Sequence, residues 1–528
     1  MMKKAIKKLL AALLAVAMVC AMAIPAFAYN PGETKEDLNT KHDYGAFQIF
    51  EGVISKDNET LSDVNWGQNI TEPDIFLANL KNDPTIGEKF ETAATAQDVL
   101  AVISKWHDSD DNSIAFARVV CHYLYPDAKA NPTPVATDHT GGINIPKSGY
   151  YLIVDTSTFS DDDFYHAYNS FFLLNVPQTP YVVLVNHKVV KPTVEKEVYD
   201  NNDIGSTGGW GSSADHAINE PFQFRLIAKL PASENNGRAY DYYKEYAVCF
   251  TDTLSDGITF DKLDTVEITN GDGSTPQVIN NYTLDPNNPQ SSFKLSIDDV
   301  KTCVPDLNKG ATITVTYTAH LNEKAYVNTV GGGTDNKNSV YLEYSNNPRI
   351  STSLDHTTTS EVCVYTYQLN NTKHQDSENG PVLEGAGFRL YSNEACNAED
   401  EIKLKMNDDG TYSRDFSTEG KGVEMLSNKD GQFNVKGLDA GTYYLKETTP
   451  PTGYSACANK EIVISATHDV NHVDLSGNLS TTIINKKAGG ITLPSTGGIG
   501  TTIFYVVGGG LMVAAIVLLV TKKRMENK

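Results

Sequence analysis

The sequence predicts an all-β chain of tandem β-sandwich domains, and three observations carry that reading. Short runs rich in Val, Ile, Tyr, Phe and Thr recur along it, among them VVLVNHKVV, YAVCFTDTL, ATITVTYTAHL, SVYLEYS, GFRLYS, GTYYLKET and TTIIN. Clusters of Gly, Asn, Asp and Pro separate these runs at the spacing of strands and turns. Helical periodicity is scarce. Its one instance is Ala93–Tyr123, where Val99, Leu100, Val102 and Ile103 recur at helical spacing.

The two ends read differently from the body. Lys3, Lys4, Lys7 and Lys8 precede an apolar run from Leu9 to Ile24 and the small-residue site Ala26-Phe27-Ala28. That is the pattern of a secretory signal peptide over residues 1–28. At the other end, Leu493-Pro494-Ser495-Thr496-Gly497 stands before an almost uncharged stretch from Gly498 to Thr521, and Lys522-Lys523-Arg524 follow. The stretch is long enough to span a bilayer, with the basic cluster holding the tail on the cytoplasmic side.

Between the ends lie 469 residues, room for about three domains. Without the charges of leader and tail this segment keeps 35 basic and 65 acidic residues, a net charge of −30. Such a chain repels nucleic acid and anionic lipid, which excludes both as partners. Cys20 leaves with the leader, and Cys121, Cys249, Cys303, Cys363, Cys396 and Cys457 remain. No CxxC or His/Cys spacing suggests zinc, and the 12 histidines show no ligand spacing. The pattern closest to a DxSxS metal site, Asp155-Thr156-Ser157-Thr158-Phe159, lacks the last serine. With no GxSxG, HExxH or phosphate-binding loop, no metal, cofactor or enzymatic turnover is expected.

Two boundaries follow from composition. Proline interrupts the ladder at Lys191-Pro192, and the polar stretch from Ser345 to Ser360 has little to bury. The expected units are 29–190, 191–348, a linker at 349–360, 361–488, and a terminal segment at 489–528.

The charged residues that matter are those pointing the wrong way. In VNHKVVKPTVEKEV, Val194, Lys196 and Val198 share one face of an extended segment while Glu195 and Glu197 take the other. A buried lysine is driven towards its neutral, nucleophilic amine. In YAVCFTDTL, Asp252 is in phase with Tyr246, Val248, Phe250 and Leu254; in NSVYLEYS, Asn338 is in phase with Val340, Leu342 and Tyr344. The third unit repeats the order. Lys373 is in phase with Tyr365, Tyr367 and Leu369, Glu447 with Tyr443 and Leu445, and Asn485 with Leu479 and Ile483.

With these residues in view, the chain resembles the sortase-assembled pilins of Gram-positive bacteria, in particular backbone subunits built from immunoglobulin-like (CNA-type) domains with internal Lys–Asn isopeptide bonds. YLKETTPPTGY is similar to the family's E-box, FTDTLSDGITF to its acid strand, and LPSTG with the apolar and basic segments behind it to the cell-wall sorting signal. HDYGAFQIFEGVI with Trp66, and SGYYLIVD, resemble the family's N-terminal domain. The resemblance implies that Lys196 bonds Asn338 with Asp252 assisting, and that Lys373 bonds Asn485 with Glu447 assisting. In each case a protonated carboxyl would hydrogen-bond the asparagine amide oxygen.

It further implies that a sortase cleaves between Thr496 and Gly497 and passes the Thr496 acyl group to a lysine of another subunit. The expected acceptor is Lys188, which ends the first unit's last strand although Asn186-His187 stands where the family has Tyr-Pro; Lys191 is the alternative. Implied partners are a class C sortase, a housekeeping sortase, other pilin subunits, peptidoglycan and a host surface ligand, on a protein secreted and then attached to the cell wall. An ancillary pilin or a wall-anchored adhesin with the same stalk domains remains the alternative. Cys396 and Cys457, following GFRLYS and the E-box, are expected to pair in an oxidising compartment, with Cys249–Cys303 a second pairing.

Overall fold

The computed structural model describes residues 42–54, 61–107, 110–127, 129–138, 142–158, 171–176, 181–184, 191–202, 209–233, 237–286, 291–327, 336–417, 420–477, 479–488 and 499–525. The expected leader at 1–28, the acceptor Lys188 and the motif residues Leu493, Pro494, Ser495, Thr496 and Gly497 lie outside the described residues.

The first unit joins a sheet to helices, part of them within the expected Ala93–Tyr123. An antiparallel sheet runs in the order Leu61–Trp66, Tyr44–Ile54, Gly149–Asp155 and Phe172–Val176. Among the described residues three α-helices accompany it: α1 (Pro73–Asn82), α2 (Ala96–Ile103) and α3 (Asp111–Leu124). Successive side chains of a strand face opposite sides. Phe47 and Leu152 pack with Phe76, Leu80, Val99 and Phe116 of the helical layer, and an irregularity between Gln48 and Phe50 brings Phe50 to the same side. Tyr44, Ala46, Tyr151 and Ile153 face the other way, against Ile143, Ile145 and Val183 of a two-stranded ribbon. Because both faces are covered, Gly149–Asp155 is an almost continuous apolar run rather than an alternating one. The helical signal at Ala93–Tyr123 resolves into two helices. The first opens on a capping box in which Thr95 and Asp98 satisfy each other's backbone amides. Helix α1 was not anticipated, although Pro73 occupies its first turn as helix starts prefer.

The middle unit is a two-sheet sandwich. One sheet runs Gln277–Val278, Ile258–Asn270, Ala311–Leu321, Pro221–Leu230, Thr193–Asp200, Gly209–Gly211. The facing sheet runs Ser213–Asp215, Ser360–Tyr365, Lys337–Ser345, Val248–Leu254, Phe293–Ile297, Thr283–Asp285. Alternation is strict: along Ala311–Leu321 every second residue is buried. The third unit is also a sandwich, with Tyr367–Gln375 lying parallel to Ser480–Asn485 in one sheet and Gly441–Thr449 at the centre of the other.

The stretch expected as a linker is not one. Leu354–His356 pairs with Glu343–Ser345, and Ser360–Tyr365 is hydrogen-bonded on both sides within the middle sheet, antiparallel to Lys337–Val340 and parallel to Ser213–Asp215. The chain then passes into Tyr367–Gln375 across Thr366 alone, a buried residue whose hydroxyl donates to Leu438 O at 3.2 Å. Gly437 sits at φ 73°, and a Cβ there would fall 2.3 Å from Ile218 Cγ1, so glycine permits the two units to touch.

The last element, α4, runs Ile499–Met525, and its apolar side chains from Val507 to Val520 are exposed. No helix among the described residues is long and apolar enough to cross a membrane; the side chains of 499–506, part of the expected span, lie outside them.

Candidate functional site: two buried lysine clusters

The strict alternation of the middle sandwich turns Lys196, Asp252 and Asn338 into its core, each almost wholly buried. Lys196 comes from Thr193–Asp200 in one sheet; Asp252 and Asn338 come from neighbouring antiparallel strands of the other, where Asp252 pairs with Val340 and Leu254 with Asn338. A two-residue offset places both side chains on one face. Lys196 Nζ donates to Asp252 Oδ2 and to the hydroxyl of Tyr317 at 3.1 Å. The rings of Phe224 and Tyr317 flank the amine at 5.2 and 5.3 Å.

Tyr317 is the residue that sequence reasoning missed. Its hydroxyl accepts from Lys196 Nζ and from Asn338 Nδ2, the latter at 2.6 Å, and donates to Asp252 Oδ1 at 3.2 Å. One donor and two acceptor sites are thus all used. A signal was present: in ATITVTYTAHL, Tyr317 is in phase with Ile313 and Val315, and a buried tyrosine hydroxyl needs a polar partner. Asn338 Oδ1 receives no hydrogen bond from the described residues.

Burial dominates the electrostatics. Removal from water pulls the Lys196 amine down to about 8, with the Asp252 carboxylate opposing. Burial pushes the Asp252 carboxyl up, with Lys196 opposing, and drives the Tyr317 phenol well above its ordinary value. Both members of the ion pair are shifted towards their neutral forms.

The third unit builds a second cluster with different connections. Lys373 and Asn485 lie on adjacent parallel strands of one sheet, Lys373 opposite Ile483 and Gln375 opposite Asn485. Glu447 reaches across from the facing sheet. Lys373 Nζ donates to Asn485 Oδ1 at 2.5 Å and lies 3.4 Å from Glu447 Oε1, which also accepts from Asn485 Nδ2 at 2.7 Å. The ring of Phe388, stacked on Phe433, stands 5.2 Å from the amine. Burial pulls the Lys373 amine down.

All six residues are therefore brought together in two trios, but the expected contact between acid and amide oxygen is made in neither. Glu447 accepts from the amide nitrogen instead. The shorter Asp252 is separated from Asn338 by Tyr317, which bonds to both. The middle unit's last strand is Ser360–Tyr365, so Asn338 lies on a strand before the last.

The expected disulfides are not formed. Cys396 and Cys457 are both free thiols, as are Cys249 and Cys303. Cys396 sits in a turn at φ 48°, its sulfur accepting from Asn459 Nδ2 at 3.4 Å, while the Cys457 backbone is held by Glu447 Oε2 at 2.8 Å. Each is occupied by a separate local contact. Cys249 Sγ accepts from Ser296 Oγ at 3.2 Å on the neighbouring strand. Lys191, the alternative acceptor, lies 3.5 Å from Asp355 and is mostly buried. Asp155, from the DxSxS-like run, accepts from Ser157 Oγ at 2.5 Å and lies 2.6 Å from His42, as a buried structural hub.

Comparison with known proteins agrees with parts of this picture. Residues 369–478 match the model of the SpaA prealbumin-like fold domain, and residues 485–527 match the LPXTG cell wall anchor motif. No curated protein matches the chain. Among solved structures, the full-length major pilin SpaD from Corynebacterium diphtheriae is similar at 18% identity and TM-score 0.42, covering 85% of this chain and 93% of that one. The T6 backbone pilin of serotype M6 Streptococcus pyogenes is similar at 16% identity and TM-score 0.46, covering 86% and 98%. The 35 kDa C-terminal fragment of the major pilin GBS80 of Streptococcus agalactiae follows at 20% identity and TM-score 0.39, covering 56% and 99%. At these TM-scores the likenesses are resemblances and carry nothing about function. The family models identify the Lys373–Glu447 sandwich as a SpaA-type prealbumin-like domain, followed by the anchor by which proteins are held covalently on the Gram-positive cell wall.

Proposed function

We propose that this chain is a structural backbone subunit of a covalent cell-surface pilus, cross-linked internally by Lys196–Asn338 and Lys373–Asn485 amide bonds. The observation that carries this reading is the pair of buried Lys–acid–Asn clusters, in consecutive sandwiches, ahead of a cell-wall anchor motif. Surface salt bridges would not need this burial, and burying a lysine next to an uncharged amide serves no ordinary packing purpose. A class C sortase would assemble the polymer, a housekeeping sortase would join it to peptidoglycan, and the polymer would support adhesion to a host surface.

The chemistry balances without any external reagent. The neutral lysine nitrogen attacks the asparagine side-chain carbon and the C–Nδ2 bond breaks. One lysine proton ends on the departing nitrogen, and ammonia leaves. In the third unit Glu447 touches both nitrogens and can carry that proton alone. In the middle unit Asp252 takes the proton from Lys196, and Tyr317 relays one from Asp252 Oδ1 to Asn338 Nδ2. Each bond closes a loop of more than a hundred residues, so by loop entropy it adds about 4–5 kcal/mol.

Four outcomes test this reading. Intact mass of the full chain should fall short of the sequence mass by two molecules of ammonia beyond any processing. Asp252→Ala should restore one and Glu447→Ala the other; an unreduced wild-type mass would refute internal cross-linking. Tyr317→Phe should slow or abolish the middle bond while leaving the third-unit bond complete, read by peptide mapping; equal completion of both would remove the relay.

The pH dependence follows from the depressed Lys196 amine. Folded, it titrates at about 8 against 10.5 for the ordinary side chain. Between those values the unfolded chain binds more protons, so stability rises with pH across that window. In an Asn338→Ala variant, which cannot form the bond, the middle unit's denaturation midpoint should be higher at pH 9.5 than at 7.5. The added change Lys196→Met should flatten that rise.

Polymerisation supplies the fourth test. Coexpression with a pilin sortase should give a covalent ladder that survives boiling in detergent. Lys188→Ala should abolish it and Lys191→Ala should not. The reverse result assigns the junction to Lys191, and monomer alone on the wall in wild type favours the anchored-adhesin alternative.

A further inference from the structure

A second set of ionisable groups, independent of the cross-links, is buried where the middle and third units meet. Asp200, Asp215, His216 and Glu220 come from the middle unit; Asp439 and His468 come from the third. Ligand atoms of Asp200, Asp215 and His468 all lie within 4.8 Å of one another, and so do those of His216, Glu220 and Asp439. The two trios abut, because Asp215 is within hydrogen-bonding reach of Asp439. The histidine spacing in the sequence offers no ligand set; the fold assembles one.

Two side chains are prepared for a ligand. Asp215 is fully buried, and neither of its carboxylate oxygens receives a hydrogen bond from the described residues. A carboxylate in that position is costly unless a cation or proton compensates it. His216, also buried, holds Nε2 at 2.8 Å from Tyr199 O, so that nitrogen carries the proton and donates. Nδ1 is left as a lone pair with no hydrogen-bond partner, and the ring is fixed flat against Phe222 at 4.2 Å. A backbone carbonyl orienting one ring nitrogen so that the other faces carboxylates is the usual second shell of a metal-binding histidine.

The surroundings are anionic but not saturated. Asp439 accepts from Asn202 Nδ2 and from the Ala440 amide, and Glu220 from the Ala217 amide. Arg414 approaches Glu220 at 3.8 Å. His468 stacks near Tyr365, with Nδ1 2.9 Å from Ser213 Oγ and Nε2 3.6 Å from Asp200 Oδ2. These contacts leave both carboxylate oxygens of Asp215, between the two trios, without a hydrogen bond from the described residues.

We propose that Asp200, Asp215 and His468 bind a divalent transition-metal ion, of the Mn2+ or Zn2+ class, at this junction. Mixed imidazole and carboxylate donors suit these ions, whereas Ca2+ prefers an all-oxygen shell. Since His468 belongs to the third unit and Asp200 and Asp215 to the middle one, the ion fastens two domains together.

The test uses the full chain, purified without a histidine tag and stripped with chelator. Mn2+, Zn2+ and Ca2+ are added separately, and bound metal is measured after gel filtration. The expected result is about one Mn2+ or Zn2+ per chain with Ca2+ weaker, and an affinity at least about 10-fold lower in Asp215→Asn. Pulsed EPR of the Mn2+ form should detect imidazole nitrogen coupling that is reduced in His468→Gln, a readout that does not depend on the Asp215 variant folding well. Absence of stoichiometric binding by the wild type overturns the proposal, as does binding unchanged in both variants. Tighter Ca2+ than Mn2+ or Zn2+ overturns the assigned class. Asp215→Asn raising the melting temperature of a wild type that binds no metal would identify a proton shared between Asp215 and Asp439 instead.

Discussion

A lysine amine held away from water is the constraint on which the two sandwiches depend. The charged form of such a group is disfavoured by burial and can persist only beside a carboxylate. Both structures supply that carboxylate together with aromatic walls: Phe224 and Tyr317 around Lys196, Phe388 around Lys373. The tight core is what pulls the amine towards its neutral form, whereas an exposed lysine would stay protonated. Packing and chemistry are the same requirement here.

The two clusters meet that requirement with different geometry. In the middle unit the lysine and the asparagine stand on facing sheets, and the acid shares the asparagine's sheet. In the third, lysine and asparagine are on neighbouring parallel strands and the acid reaches from across. The acids differ by one methylene. Glu447 contacts the amide nitrogen directly, while Asp252 has a tyrosine hydroxyl interposed. A shorter acid and an added phenol occupy the space that a longer acid fills alone.

How much of this was legible in the sequence depends on whether a residue's role is local. Lys196, Asp252 and Asn338 could be read because their strands alternate strictly, so phase with neighbouring valines decides which way a side chain points. Tyr317 obeys the same phase, but inward tyrosines are common and only the tertiary structure puts its hydroxyl among three partners. Ser360–Tyr365 follows a stretch of short polar residues that reads as a linker, although its own EVCVY segment is apolar. The cysteines were misjudged because proximity of strands does not bring two particular sulfurs together. The junction of Asp215, His216 and Asp439 gathers residues more than two hundred positions apart, which no spacing rule detects.

The single residue between the middle and third sandwiches has a mechanical consequence. Strand Ser360–Tyr365 belongs to one domain and Tyr367–Gln375 to the next, with Thr366 buried and hydrogen-bonded between them. Two rigid bodies joined by so short and so anchored a segment cannot swivel freely. The angle between their sheets is therefore a property of the subunit, as the lead is a property of a screw. The two sandwiches would then carry torque as well as tension from one to the other.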